Sequence, residues 1–315
     1  MKQYFKLGPI LVSQASSISG GLLIGMPAMY AYTGWLKNLC LRLSLQSSVS
    51  IRPLGISPIF HGLSLHRGHA KFFPYREDHS EYVRTGDLNL PEIDEHKVSF
   101  ELSMIIGIES RDLELEPASI AACVAGMKIS GGGISPVDLK DIHVRVKRIG
   151  EVTRCFESLP FNAVALCDAS DVLDDARGAG VEGFDAMLQA LAAPSGFKTP
   201  KDGEFERPLW MPKAGHFLPV CVGAIALESL KSPDEREGIR QSDNATLETP
   251  TKHAFAESAF TLVRAQTIAS VRAQSRLVAE SDGQMTEPYI FWREVPPKPG
   301  QFQFYGAHAF PVSAF

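Results

Sequence analysis

The chain has 315 residues, of which 44% are hydrophobic and 21% charged, and its formal net charge is −5. That length supports one large domain or two modest ones, and the composition argues against a disordered, collagen-like or solenoid chain. No apolar run reaches the ~18–20 residues of a membrane span. Five scattered cysteines without a CxxC pair point to reduced thiols, so the expected location is the cytoplasm.

Charge is unevenly distributed. Residues 92–118 hold eight acids against two bases, and residues 157–185 hold seven against one. Residues 128–154 hold six bases against three acids, and residues 252–276 hold four against one. Such segregation allows a basic groove on an acidic body. Chance clustering on a solvated surface is the plain alternative.

In chain order, residues 4–13 read as a strand with Tyr4, Leu7, Ile10 and Val12 as its apolar members. A long uncharged Ser/Gly loop follows, "QASSISGGLLIGMP", and Pro27 then opens a helix running to about Leu45. Residues 51–60 look extended, but Pro53 and Pro58 fit an edge or irregular strand. Residues 61–97 show neither period and read as a long projecting loop that mixes bases with aromatics. Residues 98–108 alternate as a strand, with Val98, Phe100, Leu102 and Met104 on one side. A helix at about 115–127 leads into the glycine-rich turn "ISGGGISP", then into the strand "IHVRVKRI". This order predicts an α+β fold with a ferredoxin-like βαββαβ body. An acidic helix is expected over 168–193, a buried strand over 216–227, a long helix over 251–280, a late strand at "YIFWREV" over 288–295, and a loose tail. The expected division is 1–160 for the body with its inserted loop, and 161–315 for helices and strands returning to it.

No motif of a known enzyme class is present: no GxSxG, HExxH, Walker A or GxGxxG opening a helix. His61, His66 and His69 lie close together, but no fourth ligand has metal-site spacing, so solvated or backbone-bonded histidines are expected and no metal or cofactor. A histidine beside Tyr or Lys could also cleave RNA by acid–base chemistry. His216 precedes an apolar strand and reads as structural.

The remaining signals concern phosphate and single-stranded nucleic acid. Gln14, Ser16, Ser17, Ser19, Gly20 and Gly21 offer backbone N–H groups and hydroxyls near a helix start. Gly131, Gly132 and Gly133 repeat that logic before the strand carrying Arg145 and Lys147, two bases on one face. In the projecting loop, Arg67, Lys71 and Arg76 could meet phosphates, while Phe72, Phe73 and Tyr75 stack on bases. Arg264, Arg272 and Arg276 would share one face of the expected helix 251–280.

The stretch "LGPILVSQASSISGGLLIGMPAMYAYTGWLKNL" resembles the opening of the crRNA 5′-handle-binding subunits of type I-F CRISPR surveillance complexes. Gly25-Met26-Pro27 and Tyr32-Thr33-Gly34-Trp35 carry the likeness most clearly. "MKISGGGISP", "LWMPKAGHFLPV", "TLETPTKHAFAESAFTLVRA" and "YIFWRE" are similar to later segments in the same order. The resemblance implies a RAMP-superfamily protein: an RRM-like fold with an inserted hook loop and additional helices. It implies a non-catalytic subunit that holds the crRNA 5′ handle and caps the backbone filament of Cascade. Its implied partners are the adjacent backbone subunit, a large subunit where present, and target DNA. In variant systems lacking the large subunit, the handle subunit is thought to meet the PAM duplex itself, and the basic face of 251–280 or the loop 61–97 would be the place. An RNA-processing nuclease, a spacer-coating backbone subunit and an unrelated interaction protein stay open as alternatives.

Overall fold

The computed structural model describes residues 1–20, 23–66, 96–111, 115–146, 153–181, 183–192, 216–227, 256–280, 289–295 and 304–311. The first strand, β1 (Lys2–Ser16), is buried along most of its length. A two-strand turn, β2 (Ile18–Ser19) and β3 (Leu23–Ile24), leads to helix α1 (Met29–Ser47). Met29, Tyr32, Leu36, Leu39 and Leu43 recur every three or four residues and form its buried stripe. Ser48, in the left-handed conformation, ends the helix.

Strands β4 (Ile51–His66) and β5 (Lys97–Ser110) pair antiparallel from Ile51–Ser110 to His66–Lys97. Helix α2 (Pro117–Val124) starts on its proline. A hairpin of β6 (Lys128–Ile129) and β7 (Gly132–Ile134) follows, and β8 (Ile142–Val146) lies back along β1. The second half contributes α3 (Thr153–Glu157), β9 (Val164–Asp168), α4 (Ser170–Gly178), α5 (Gly183–Ala192) and β10 (His216–Ala226). It ends with β11 (Ala256–Thr267), α6 (Ile268–Glu280), β12 (Tyr289–Val295) and β13 (Phe304–Pro311).

The fold is α+β. Among the described residues, eleven strands form one sheet in the order β12–β13–β10–β11–β9–β4–β5–β1–β7–β6, with β8 also on β1. Every strand pair in it is antiparallel. β12 also pairs with β4, at Trp292–Ile56, so the run β4–β9–β11–β10–β13–β12 closes on itself.

The sheet through β4, β5 and β1 is covered on both faces. On one face Leu7, Leu102, Met104 and Ile106 meet Tyr32, Leu36 and Leu39 of α1 and Ile120 and Val124 of α2. Phe60 joins them, its ring edge-on to Tyr32 and Phe100 at 6.1 and 5.8 Å. On the other face Tyr4, Ile59 and Ile105 lie under Cys155, Phe156 and Leu159, with Ile268 and Val271 of α6.

Several expectations change. β4 is interior rather than an edge, because β5 takes one side of it and β9 and β12 share the other. Its prolines are tolerated because, among the described residues, the second side is paired only at Ile56 and at Ile59–Phe60. Pro53 lies before those contacts and Pro58 in the gap between them. β4 runs on to His66, so His61 and His66 stand on a strand instead of a loop; residues 67–95 lie outside the described residues. Of the expected helix 251–280, Ala256–Thr267 is a strand and the helix begins only at Ile268, while 251–255 lie outside the described residues. β9 and β10 flank β11, and their pairing outweighs the helical propensity of its Ala, Glu and Leu. The expected helix 168–193 is instead two helices preceded by the unforeseen strand β9, and the tail holds β13. Among the described residues no helix is long and apolar enough to cross a membrane.

Candidate functional site

The Ser/Gly loop is a packed element. Ser17 is fully buried; its N–H donates to His96 O at 2.9 Å and its carbonyl accepts from Gly25 N–H at 2.8 Å. Ser19 is buried beside the Cys221 thiol. Gly20 has φ +60°, and a Cβ there would lie 2.7 Å from the Phe260 ring. Small uncharged residues are therefore required for the loop to lie against β10 and β11. The hydroxyls of Ser17 and Ser19 are buried, and Gly20 is half-exposed. Gly21 lies outside the described residues.

The residues just before this loop behave differently. Gln14 is exposed, with φ +59° at a break in the β1 register, and its N–H donates to Ser99 Oγ at 3.3 Å. Ser16 N–H donates to Ser130 O at 2.8 Å. Ser130 and Gly131, both at positive φ, turn the β6–β7 hairpin, so the glycine-rich run is a tight turn. Gly132 packs on Ala15, where a Cβ would stand 2.8 Å from its backbone, while Gly133 is exposed with open space above it. Ser16 pairs with Lys97, and His66 also pairs with Lys97 from the other side. Three features far apart in sequence thus meet at one sheet corner: Gln14–Ser16, Ser130–Gly133, and the two strand ends that flank residues 67–95. Arg67, Lys71, Phe72, Phe73, Tyr75 and Arg76 belong to that flanked segment, outside the described residues.

Among the described residues, the other expected bases lie on elements away from this corner. Arg145 lies in β8, which pairs with Tyr4–Leu7 at the far end of β1, about 30 Å along the strand from Gln14. Lys147 lies outside the described residues. Arg264 is on β11, its guanidinium 5.2 Å over the Phe217 ring, whereas Arg272 is on α6, 5.1 Å over Phe161. The expected common helical face of Arg264, Arg272 and Arg276 does not exist, because the first residue is on a strand; Arg272 and Arg276 remain on α6.

A second polar site was not anticipated. A cleft of about 360 Å³ is lined by Lys6, Pro9, His61, Glu101, Ser103 and the 158–162 turn. Lys6 is 4% exposed, and burial pushes its ammonium below its ordinary value, with Asp141 acting in the opposite direction. His61 Nε2 and Ser103 Oγ share a hydrogen bond of 2.8 Å. Burial also lowers His61; the Glu101 carboxylate opposes that shift and Lys6 adds to it. The sequence signal was a single lysine inside the apolar run "YFKLGPILV". His66 makes the equivalent bond to Ser99 Oγ at 2.9 Å.

The lowered His61 gives a pH dependence. The unfolded chain takes up this proton first, near the ordinary 6.5. The stability contribution is therefore present above that value and is lost as pH falls through it toward the folded value. The melting temperature should fall between pH 7.5 and 5.5, and less steeply in His61→Gln. Equal slopes for the two proteins would show that His61 is not the group responsible.

A comparison with curated proteins finds no match. The family model described as CRISPR-associated protein (Cas_Csy2) matches residues 6–292, which takes in both the corner and the cleft. Membership of that family implies work within a CRISPR complex, alongside other Cas subunits and crRNA. The chain belongs to the Cas_Csy2 family of CRISPR-associated proteins and is a Csy-type subunit of a CRISPR Cascade complex.

Proposed function

We propose that this protein is the non-catalytic subunit that holds the crRNA 5′ handle in a type I-F complex and caps its backbone filament. The observation that carries the reading is the sheet corner where Gln14–Ser16, Ser130–Gly133 and the strand ends flanking residues 67–95 meet. Gln14 and Gly133 are exposed there, and the strand ends lead into a segment whose Arg67, Lys71 and Arg76 are interspersed with Phe72, Phe73 and Tyr75. Phosphates take charge and N–H donors, and unpaired bases take aromatic faces. The strand order β4–β5–β1–β7, with α1 and α2 on one face, is that expected of a ferredoxin-like βαββαβ unit and supports an RRM-like RAMP body. Contact with target DNA near the PAM belongs to the same reading, with Arg272 and Arg276 of α6 as the bases to test.

The purified full chain should bind a handle RNA more tightly than a scrambled RNA of equal length and leave repeat RNA uncut. Gly133→Glu puts a negative charge at the open corner and should weaken binding by about 1 kcal/mol, roughly fivefold, with the melting temperature unchanged. Replacing Phe72, Phe73 and Tyr75 by Ala should weaken it by roughly 1–3 kcal/mol for each base that stacks. Unchanged binding in both variants would remove the corner from the interface. Cleavage of repeat RNA would make the protein a nuclease, and filament growth on long RNA would make it a backbone subunit.

A further inference from the structure

The cleft on the α3–α6 face of the sheet is separate from the corner and needs its own account. Lys6 stands on β1 between the paired strands β5 and β8, opposite Ile105 and His143. Its neighbour on the same face, Tyr4, is covered by the apolar cluster around Phe156 and Leu159. Lys6 is nearly as buried, yet it lines an open cleft, and among the described residues it makes no hydrogen bond or ion pair. The stem of Lys6 is buried while its ammonium opens into the cleft, with the Asp141 carboxylate acting on it without an ion pair. A charge with no ion-pair partner, carried on a buried stem and facing a cleft, is the pattern of a site for an oppositely charged ligand.

The surrounding groups narrow the ligand. Ser103, hydrogen-bonded to His61, and the exposed Asn162 line the cleft as uncharged polar groups. The one carboxylate in the lining, Glu101, is exposed at the rim, where water screens it. One cation at the cleft, not held in an ion pair by Asp141 or Glu101, together with neutral polar groups suits a tetrahedral oxyanion. The cleft volume is in the range of small-ligand pockets, so the space admits a nucleotide unit beyond the anion itself.

We propose that the cleft formed by Lys6, His61, Ser103 and Asn162 is a phosphate-binding site, with Lys6 supplying the charge and the neutral side chains the orientation. The phosphate is either that of an RNA strand or a free phosphate or nucleotide. Only the first source rests on the RNA-binding reading given above.

The test uses the full chain freed of RNA, with inorganic phosphate and a handle RNA as separate probes. Phosphate binding is read by ³¹P line broadening and by the rise in melting temperature. Saturable binding at millimolar phosphate is expected. It should weaken about tenfold in Lys6→Met, an uncharged side chain of similar length, and less in Ser103→Ala. Glu101→Gln should tighten it, because a repelling charge at the rim is gone. If Lys6→Met fails to fold, the opposite signs of Ser103→Ala and Glu101→Gln carry the test. Loss of both RNA and phosphate affinity in Lys6→Met assigns the site to the RNA backbone; loss of phosphate affinity alone assigns it to a free phosphate or nucleotide. No saturable phosphate binding by the wild-type chain, or equal binding by all variants, overturns the proposal. RNA binding that survives such a result leaves the handle reading standing. Phosphate binding without any RNA binding rejects the handle reading and keeps the cleft.

Discussion

Trp292→Ala should lower the stability of the chain by about 3–5 kcal/mol, the largest loss expected of any core truncation here. Trp292 is among the largest fully buried side chains, and its indole N–H donates to Leu166 O at 3.3 Å. It also stands at the pair Trp292–Ile56, by which, among the described residues, β12 reaches β4 and closes the second half of the sheet. Truncation therefore opens a cavity, leaves a β9 carbonyl without this donor and loosens the closure. Denaturant unfolding measures the change in midpoint. Trp292→Phe keeps most of the apolar volume but not the donor, so it should cost less than half as much. A loss under about 1 kcal/mol for Trp292→Ala would show that the site collapses freely and that closure does not depend on this residue.

Gly8→Ala should cost about 2–4 kcal/mol and should also weaken phosphate binding in the cleft. Gly8 has φ +113°, a conformation that side chains rarely adopt. A Cβ there would stand 2.8 Å from Leu102 O and 3.0 Å from Ser103 Cα, both on the neighbouring backbone of β5. The strand cannot yield locally, because the register of β1 on β5 shifts between Leu7 and Ile10 and is tight on both sides of the break. That same irregularity brings Pro9 to the cleft beside Lys6. Gly131→Ala is the control: it also has positive φ, +80°, but open space where the Cβ would go. It should cost only about 1–2 kcal/mol, the left-handed penalty alone. Equal losses at the two glycines would show that backbone crowding at Gly8 is not the cause.

The comparison of Gly8 with Gly20 shows why the candidate site was only partly legible. Both glycines were visible in the sequence, and Gly20 read as part of a phosphate cradle. The reason for it lies on β11, where Phe260 occupies the space a side chain would need. A loop residue's partner 240 positions away leaves no local pattern. The corner itself has the same character: Gln14, Ser99 and Ser130 are joined by strand register and hydrogen bonds, while the sequence showed only that each neighbourhood was small and polar.

What the sequence alone determined is the set of elements whose pattern is local. The three-to-four spacing of Met29, Tyr32, Leu36, Leu39 and Leu43 specifies α1, and the alternation of Val98, Phe100, Leu102 and Met104 specifies the buried face of β5. The family likeness was also legible, because short motifs such as Tyr32-Thr33-Gly34-Trp35 are local as well. Only the tertiary structure decided that residues 256–267 are a strand, that β4 is interior despite Pro53 and Pro58, and that Lys6 meets His61 and Ser103 across a cleft. These outcomes depend on which strands supply hydrogen-bond partners and which face a neighbouring helix covers. Propensities differ by less than about 1 kcal/mol per residue, so strand pairing and burial contributed by distant parts of the chain override them.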